Sequence, residues 1–184
     1  MTIRLTLLTP ALGPAARRGR IDGGGSLDEN GLRQARAMAA HLPPADLCLS
    51  APSRRCTQTA DALGVQATTE MALRELDLGS WQGRSLDELA ATEPEALAAW
   101  TTDPAAAPHS GESVIDLCRR VAEWLDGLPD DTGRLLAVTD PSVARAAVLH
   151  ALTAPALAFW RVDVPPLTCV QFTGRAGRWN LRMR

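Results

Sequence analysis

The stretch Ser50-Ala51-Pro52-Ser53-Arg54-Arg55-Cys56-Thr57-Gln58-Thr59-Ala60 places two arginines where an apolar strand gives way to a helix. A helix N-terminus leaves N–H groups without intrahelical partners, and its dipole favours negative charge. A guanidinium in the first turn adds a forked donor that matches phosphate or carboxylate oxygens. This is the chemistry of an anion site. A second helix opens at Asp140-Pro141-Ser142 and offers a second N-terminus. The loop after the first apolar run is different, because Thr9-Pro10-Ala11-Leu12 contains no acid, base or strong nucleophile. In α/β enzymes such loops commonly display the reactive groups.

The elements that position these residues follow from apolar patterning. Continuous apolar or β-branched runs predict buried strands at Ile3–Leu8, Asp46–Ser50, Arg134–Thr139 and Thr168–Phe172, with a last strand at Trp179–Met183. Leu32, Ala35, Met38, Ala39 and Leu42 recur at helical spacing, as do Val114, Leu117, Cys118, Val121, Leu125 and Leu128. Pro141 to Leu152 reads as a third, Ala-rich helix. Asp28 stands where its carboxylate would cap the helix after the polar, glycine-rich loop Arg17–Ser26. Alternating strands and helices predict a single α/β domain over residues 1–184, its sheet mostly parallel and flanked by helices. The segment from about 70 to 110 is less regular, with short helical pieces at Leu86–Ala91 and Pro94–Trp100, and reads as a lid-like insertion.

Bulk composition excludes several classes of function. A net charge of −2 over 184 residues gives no electrostatic reason to expect a nucleic-acid or membrane partner. All 19 basic residues are arginine, which reads as coding bias. Cys48, Cys56, Cys118 and Cys169 form no C-x-x-C pair and sit in apolar runs, so a reducing cytoplasm is expected. The five tryptophans are scattered along the chain and read as core or interface anchors.

With these residues in view, the sequence resembles the histidine phosphatase superfamily, which includes the phosphoglycerate mutases. The Ser50–Ala60 stretch is similar to its Ser-Ser-Pro-x-x-Arg-x-x-Gln-Thr-Ala motif, departing at Ala51. Leu27-Asp28-Glu29-Asn30-Gly31, Glu75-Leu76-Asp77-Leu78-Gly79-Ser80-Trp81-Gln82-Gly83, Gly111-Glu112-Ser113, Pro165-Pro166 and Gly177-Arg178-Trp179 resemble further family segments in the same order. The resemblance implies a phosphoglycerate mutase-like fold and phosphoryl transfer through a histidine in an Arg-His-Gly triplet. A second histidine, a second arginine and an acidic proton donor complete the family's site. Carried over, the second arginine is Arg55 and the acid is Glu75. The triplet falls on Thr9-Pro10-Ala11 and the second histidine on Asp140.

The expectation is therefore a family member whose reactive centre has been replaced. Proline has no group that accepts a phosphoryl, and threonine brings no positive charge to a trianionic transition state. Losing one such stabilising group typically costs ~10²–10³ in rate. The resemblance implies ligand contacts from Arg55, Ser142, Glu75, Glu112 and Ser113, with no metal and no cofactor. A phosphate or phosphorylated small molecule is the expected ligand, with a protein partner or a homo-oligomer as further possibilities.

Each substituted position also has a plainer role. Asp140 is expected to cap its helix, with Pro141 at the first helical position. Arg55 could equally pair with Glu75 or Asp140 in place of a bound anion. Arg17, Arg18 and Arg20 could lean over the site or stay solvated. His41 ends a helix, and His150 lies about 13 Å along its helix from Pro141. His109, just before Gly111-Glu112-Ser113, is the histidine that could supply acid–base chemistry in a displaced phosphatase or mutase mechanism.

Overall fold

The apolar run at the N-terminus builds the centre of a six-stranded sheet. A computed structural model describes residues 2–21 and 25–183. The strands are β1 (Ile3–Leu8), β2 (Leu47–Ser50), β3 (Thr68–Thr69), β4 (Arg134–Val138), β5 (Cys169–Arg175) and β6 (Arg178–Arg182). They lie in the order β3-β2-β4-β1-β5-β6. Neighbours from β3 to β1 pair in parallel, whereas β5 runs antiparallel to β1 and β6 antiparallel to β5. Leu5, Leu7 and Leu8 of β1 and Leu135 to Val138 of β4 are buried, as the uninterrupted apolar runs require of central strands covered on both faces.

The helices are α1 (Pro14–Arg17), α2 (Glu29–Met38), α3 (Arg54–Ala62), α4 (Leu86–Thr92), α5 (Pro94–Thr102), α6 (Val114–Asp126) and α7 (Pro141–Leu152). The Asp28 carboxylate accepts from Gly31 N at 2.8 Å, so this helix start is capped as its sequence predicts. Val114, Leu117, Val121 and Leu125 form the buried stripe of α6, which packs beside α7. The glycine-rich loop expected at 17–26 lies partly outside the described residues, at 22–24. The two-residue β3 is an addition, since so short and exposed a pair carries no alternating pattern. No helix among the described residues is long and apolar enough to cross a membrane.

The 70–110 segment packs against the body of the domain. Trp81 and Trp100 meet edge-on with ring centroids 5.5 Å apart, and Trp100 meets Trp160 at 4.4 Å. Three of the five tryptophans that are scattered in sequence thus gather into one cluster. Gly79 and Gly111 let the two backbones of this segment touch: a Cβ on Gly111 would stand 2.1 Å from Asp77 O, and one on Gly79 2.1 Å from His109 O. The two glycine-bearing motifs are held by this close approach.

Candidate functional site

The C-terminal ends of β1, β2 and β4 bring the singled-out residues together. Ser53 caps α3, its hydroxyl accepting from Cys56 N at 3.4 Å, and this start aims Arg55 inward. Arg55 is buried, and its Nη2 donates to Asp140 Oδ1 at 2.8 Å and to Glu75 Oε1 at 3.4 Å. Asp140 is completely buried, while the Glu75 side chain is 37% exposed. Ser53 Oγ lies 3.2 Å from Asp140 Oδ2, and Cys56 Sγ lies 3.5 Å from the same oxygen. One arginine therefore faces two carboxylates in the place where the sequence predicts an anion site.

Asp140 corrects the capping expectation. It occupies the N-cap position of α7 with extended backbone angles, and Pro141 takes the first helical position. Its carboxylate makes no cap bond. A charge-assisted bond to a buried guanidinium is about twice as strong as a neutral one, so Arg55 outcompetes the α7 amides for these oxygens. Cys56 is a neighbour that the sequence reading missed. Burial, reinforced by the Asp140 carboxylate, holds its thiol well above the usual thiol range. The thiol therefore stays protonated and donates to Asp140.

The other expected site residues are engaged elsewhere. Ser142 Oγ accepts from Leu76 N at 3.3 Å, tying α7 to the strand of chain that carries Glu75. Glu112 is clamped by Arg120, whose Nε and Nη2 lie 2.8 and 2.6 Å from its two oxygens. Arg120 Nη1 also donates to Ala72 O at 2.6 Å, so this pair fastens the insertion to α6. Ser113 caps α6 through Asp116 N at 3.1 Å. Arg17 pairs with Asp28, and Arg20 donates to Gly83 O and to Glu88.

None of the three histidines is aimed at Arg55. His41 is exposed at the end of the Ala39–His41 turn, and His150 pairs with Asp126 at 2.9 Å. His109 is completely buried, with its ring centroid 5.2 Å from that of Trp81. Its Nδ1 accepts from Gly111 N at 3.1 Å, which places the ring proton on Nε2, where no partner lies among the described residues. Burial pushes its pKa below the ordinary value of 6.5. The loop histidine expected to be a candidate acid or base is a neutral core residue.

The chain matches the histidine phosphatase superfamily (branch 1) over residues 14–184. It is 32% identical over 171 residues to glucosyl-3-phosphoglycerate phosphatase of Mycobacterium tuberculosis, covering 83% of this chain and 75% of that protein. The chain belongs to this superfamily. It is also 39% identical over 100 residues to glucosyl-3-phosphoglycerate phosphatase of Mycolicibacterium vanbaalenii, covering 51% of this chain and 44% of that protein, less than half its length. The solved structure of a mycobacterial glucosyl-3-phosphoglycerate phosphatase complexed with VO3 superposes with a TM-score of 0.84 at 29% identity, covering 97% of this chain and 96% of that one. Within this histidine phosphatase fold the superfamily match begins just past Thr9-Pro10-Ala11. That loop is closed down by its own bonds. Thr9 Oγ1 donates to Pro165 O at 2.7 Å and accepts from Thr168 N at 2.9 Å, and Ala11 N donates to Thr59 Oγ1 at 3.3 Å.

Proposed function

We propose that this chain is a pseudophosphatase: a histidine phosphatase fold without phosphohistidine chemistry, whose anion position is filled by its own carboxylates. The observation that carries the reading is the 2.8 Å contact between Arg55 and the buried Asp140. Transferring a phosphoryl group requires an acceptor and positive charge arranged around the phosphate. Pro10 offers no acceptor, and Thr9 is saturated by Pro165 and Thr168. Asp140 has one oxygen on Arg55 and the other near Ser53 and Cys56, so it is held as a counter-ion.

In this reading the protein works by binding. A phosphate or phosphorylated small molecule enters beside the half-exposed Glu75 only as Asp140 yields Arg55, with the 70–110 segment as the lid-like wall that presents Glu75. A partner protein is the other way such a surface is used. The four free cysteines fit a reducing cytoplasm, where we place it.

Relatives named as phosphatases favour one alternative, turnover of a phosphomonoester by a displaced mechanism with Glu75 as the acid. Hydrolysis of p-nitrophenyl phosphate and of glucosyl-3-phosphoglycerate by the purified protein separates the two. The pseudophosphatase reading expects rates at background and no phosphorylated protein after quenching. Hydrolysis that rises with enzyme concentration and disappears in Glu75→Gln would overturn it.

A further inference from the structure

We propose a second binding site, at the opposite end of the sheet, for a small molecule carrying two negative charges. It lies where β1 and β4 begin, about 16 Å from Thr9 at ~3.3 Å per strand residue. There a groove of about 270 Å³ runs along one sheet face, walled by Pro43 and Pro44. Register defines its floor. Thr6 stands opposite Gln171, which stands opposite Arg182, in one row across β1, β5 and β6. Arg4 and Arg134 stand opposite each other two residues along, so the pleat turns them to the same face.

Charge in this groove is unbalanced. Arg134 is neutralised by Asp46, its Nε and Nη2 donating to the two carboxylate oxygens at 3.0 and 2.6 Å. Arg4 and Arg182 have no carboxylate partner among the described residues. With Arg134 already neutralised, the charges of Arg4 and Arg182 are the ones a bound anion would balance.

Exposed arginines are ordinary by themselves, and the floor is what marks this groove as built. Thr6 is 6% exposed and lines it, yet its hydroxyl has no hydrogen-bond partner among the described residues. The Gln171 side chain, also lining the groove, is likewise without one. The residue is almost wholly buried while its hydroxyl stays open to the groove, so a ligand oxygen seated between the two arginines would accept from it in place of water. Arg4 and Arg182 lie two strands and two residues apart, about 12 Å at the usual strand spacing and rise, so their guanidiniums suit two separate anionic groups better than one. The proline wall needs no ordering when a ligand arrives.

Calorimetric titration of the intact protein with pyrophosphate and, separately, with succinate tests the proposal and distinguishes phosphorus-borne from carboxylate charge. Binding of either probe is expected, with the Gln171 side-chain amide signal moving in NMR spectra. Arg4→Ser and Arg182→Ser should each weaken binding roughly tenfold or more, whereas Arg4→Lys keeps the charge and most of the affinity. These strand positions are exposed, and circular dichroism verifies that each variant folds. The proposal is overturned if neither probe binds at millimolar concentration, if affinity is unchanged in the Arg4→Ser/Arg182→Ser double variant, or if binding leaves the Gln171 amide unmoved.

Discussion

The two ends of this sheet use arginine in opposite ways. At the C-terminal ends of the parallel strands one buried arginine, Arg55, faces the carboxylates of Asp140 and Glu75. At the other end three arginines, Arg4, Arg134 and Arg182, line one groove, and among the described residues the only carboxylate paired with them is that of Asp46, on Arg134. Fold-level resemblance points to the first end as the anion site, while charge balance points to the second. The difference is one of local neutrality. A guanidinium already held by carboxylates has little attraction left for a phosphate, however well its helix N-terminus is placed. An arginine without a counter-ion keeps that attraction even on an open sheet face.

The largest expected effect comes from breaking the buried pair. Arg55→Met preserves bulk and removes the charge, leaving Asp140 ionised without its guanidinium. Removing one partner of a buried ion pair costs about 3–5 kcal/mol, because the other charge stays desolvated. For a chain of this size that lowers Tm by roughly 10 °C or more. Arg4→Ser, at the exposed end, should stay within about 0.5 kcal/mol of the parent. Equal losses from the two variants in thermal or denaturant unfolding would erase the contrast drawn above.

Next in size is a gain of binding. Asp140→Asn keeps the shape of the side chain and removes the competing charge. Inorganic phosphate should then raise Tm in the variant at concentrations that leave the parent unmoved, a gain in affinity of about tenfold or more. Arg55→Met/Asp140→Asn should lose that response. If Asp140→Asn binds phosphate no better than the parent, Asp140 is not what holds the anion off.

Much of this was legible in the residues. Ile3–Leu8 and Pro141–Leu152 have the expected limits because a buried strand and a proline-started helix both carry strong local signals. Arg55 and Asp140 were legible as neighbours through motif order, and the absence of a histidine before His41 is plain in the chain. The choice made by the Asp140 carboxylate was not. Capping and pairing are both local options for Asp before Pro, and a contact 85 residues away decides between them. The burial of His109 is hidden for a related reason: nothing near it in sequence says that Trp81 and Trp100 will close over it. Arg4 and Arg182 share a groove through strand register alone.

A smaller effect tests how dry the insertion is. His109 has its pKa depressed by burial, so the unfolded chain binds its proton more readily than the folded one. Its contribution is complete above the ordinary value of 6.5 and is lost as pH falls below it. His109→Asn keeps an acceptor for Gly111 N–H and cannot titrate. The variant should be less stable near neutrality but should lose less on going from about pH 7 to about pH 5. Parallel pH profiles would mean that water reaches the ring, returning His109 to consideration as an acid or base.

The smallest effect lies at the open end, where stability is again lost as pH falls, here through a paired charge and not through a buried ring. Hydrogen bonds from Arg134 hold the Asp46 carboxyl at about 2, below its ordinary 3.8. A depressed carboxyl contributes stability that is present above its unfolded value and is lost as pH falls towards its folded one. Asp46→Asn should therefore flatten the acid limb of the unfolding profile between these two values and change Tm little at neutral pH, because the pair is exposed and screened by salt. The same substitution releases Arg134 in the groove, so pyrophosphate should bind more tightly in Asp46→Asn than in the parent. A tighter site with unchanged neutral stability is what separates a groove short of negative charge from a surface whose arginines are merely solvated. Weaker binding in this variant would place Asp46 among the groups that orient the ligand and would remove counter-ion shortage as the reason the groove attracts anions.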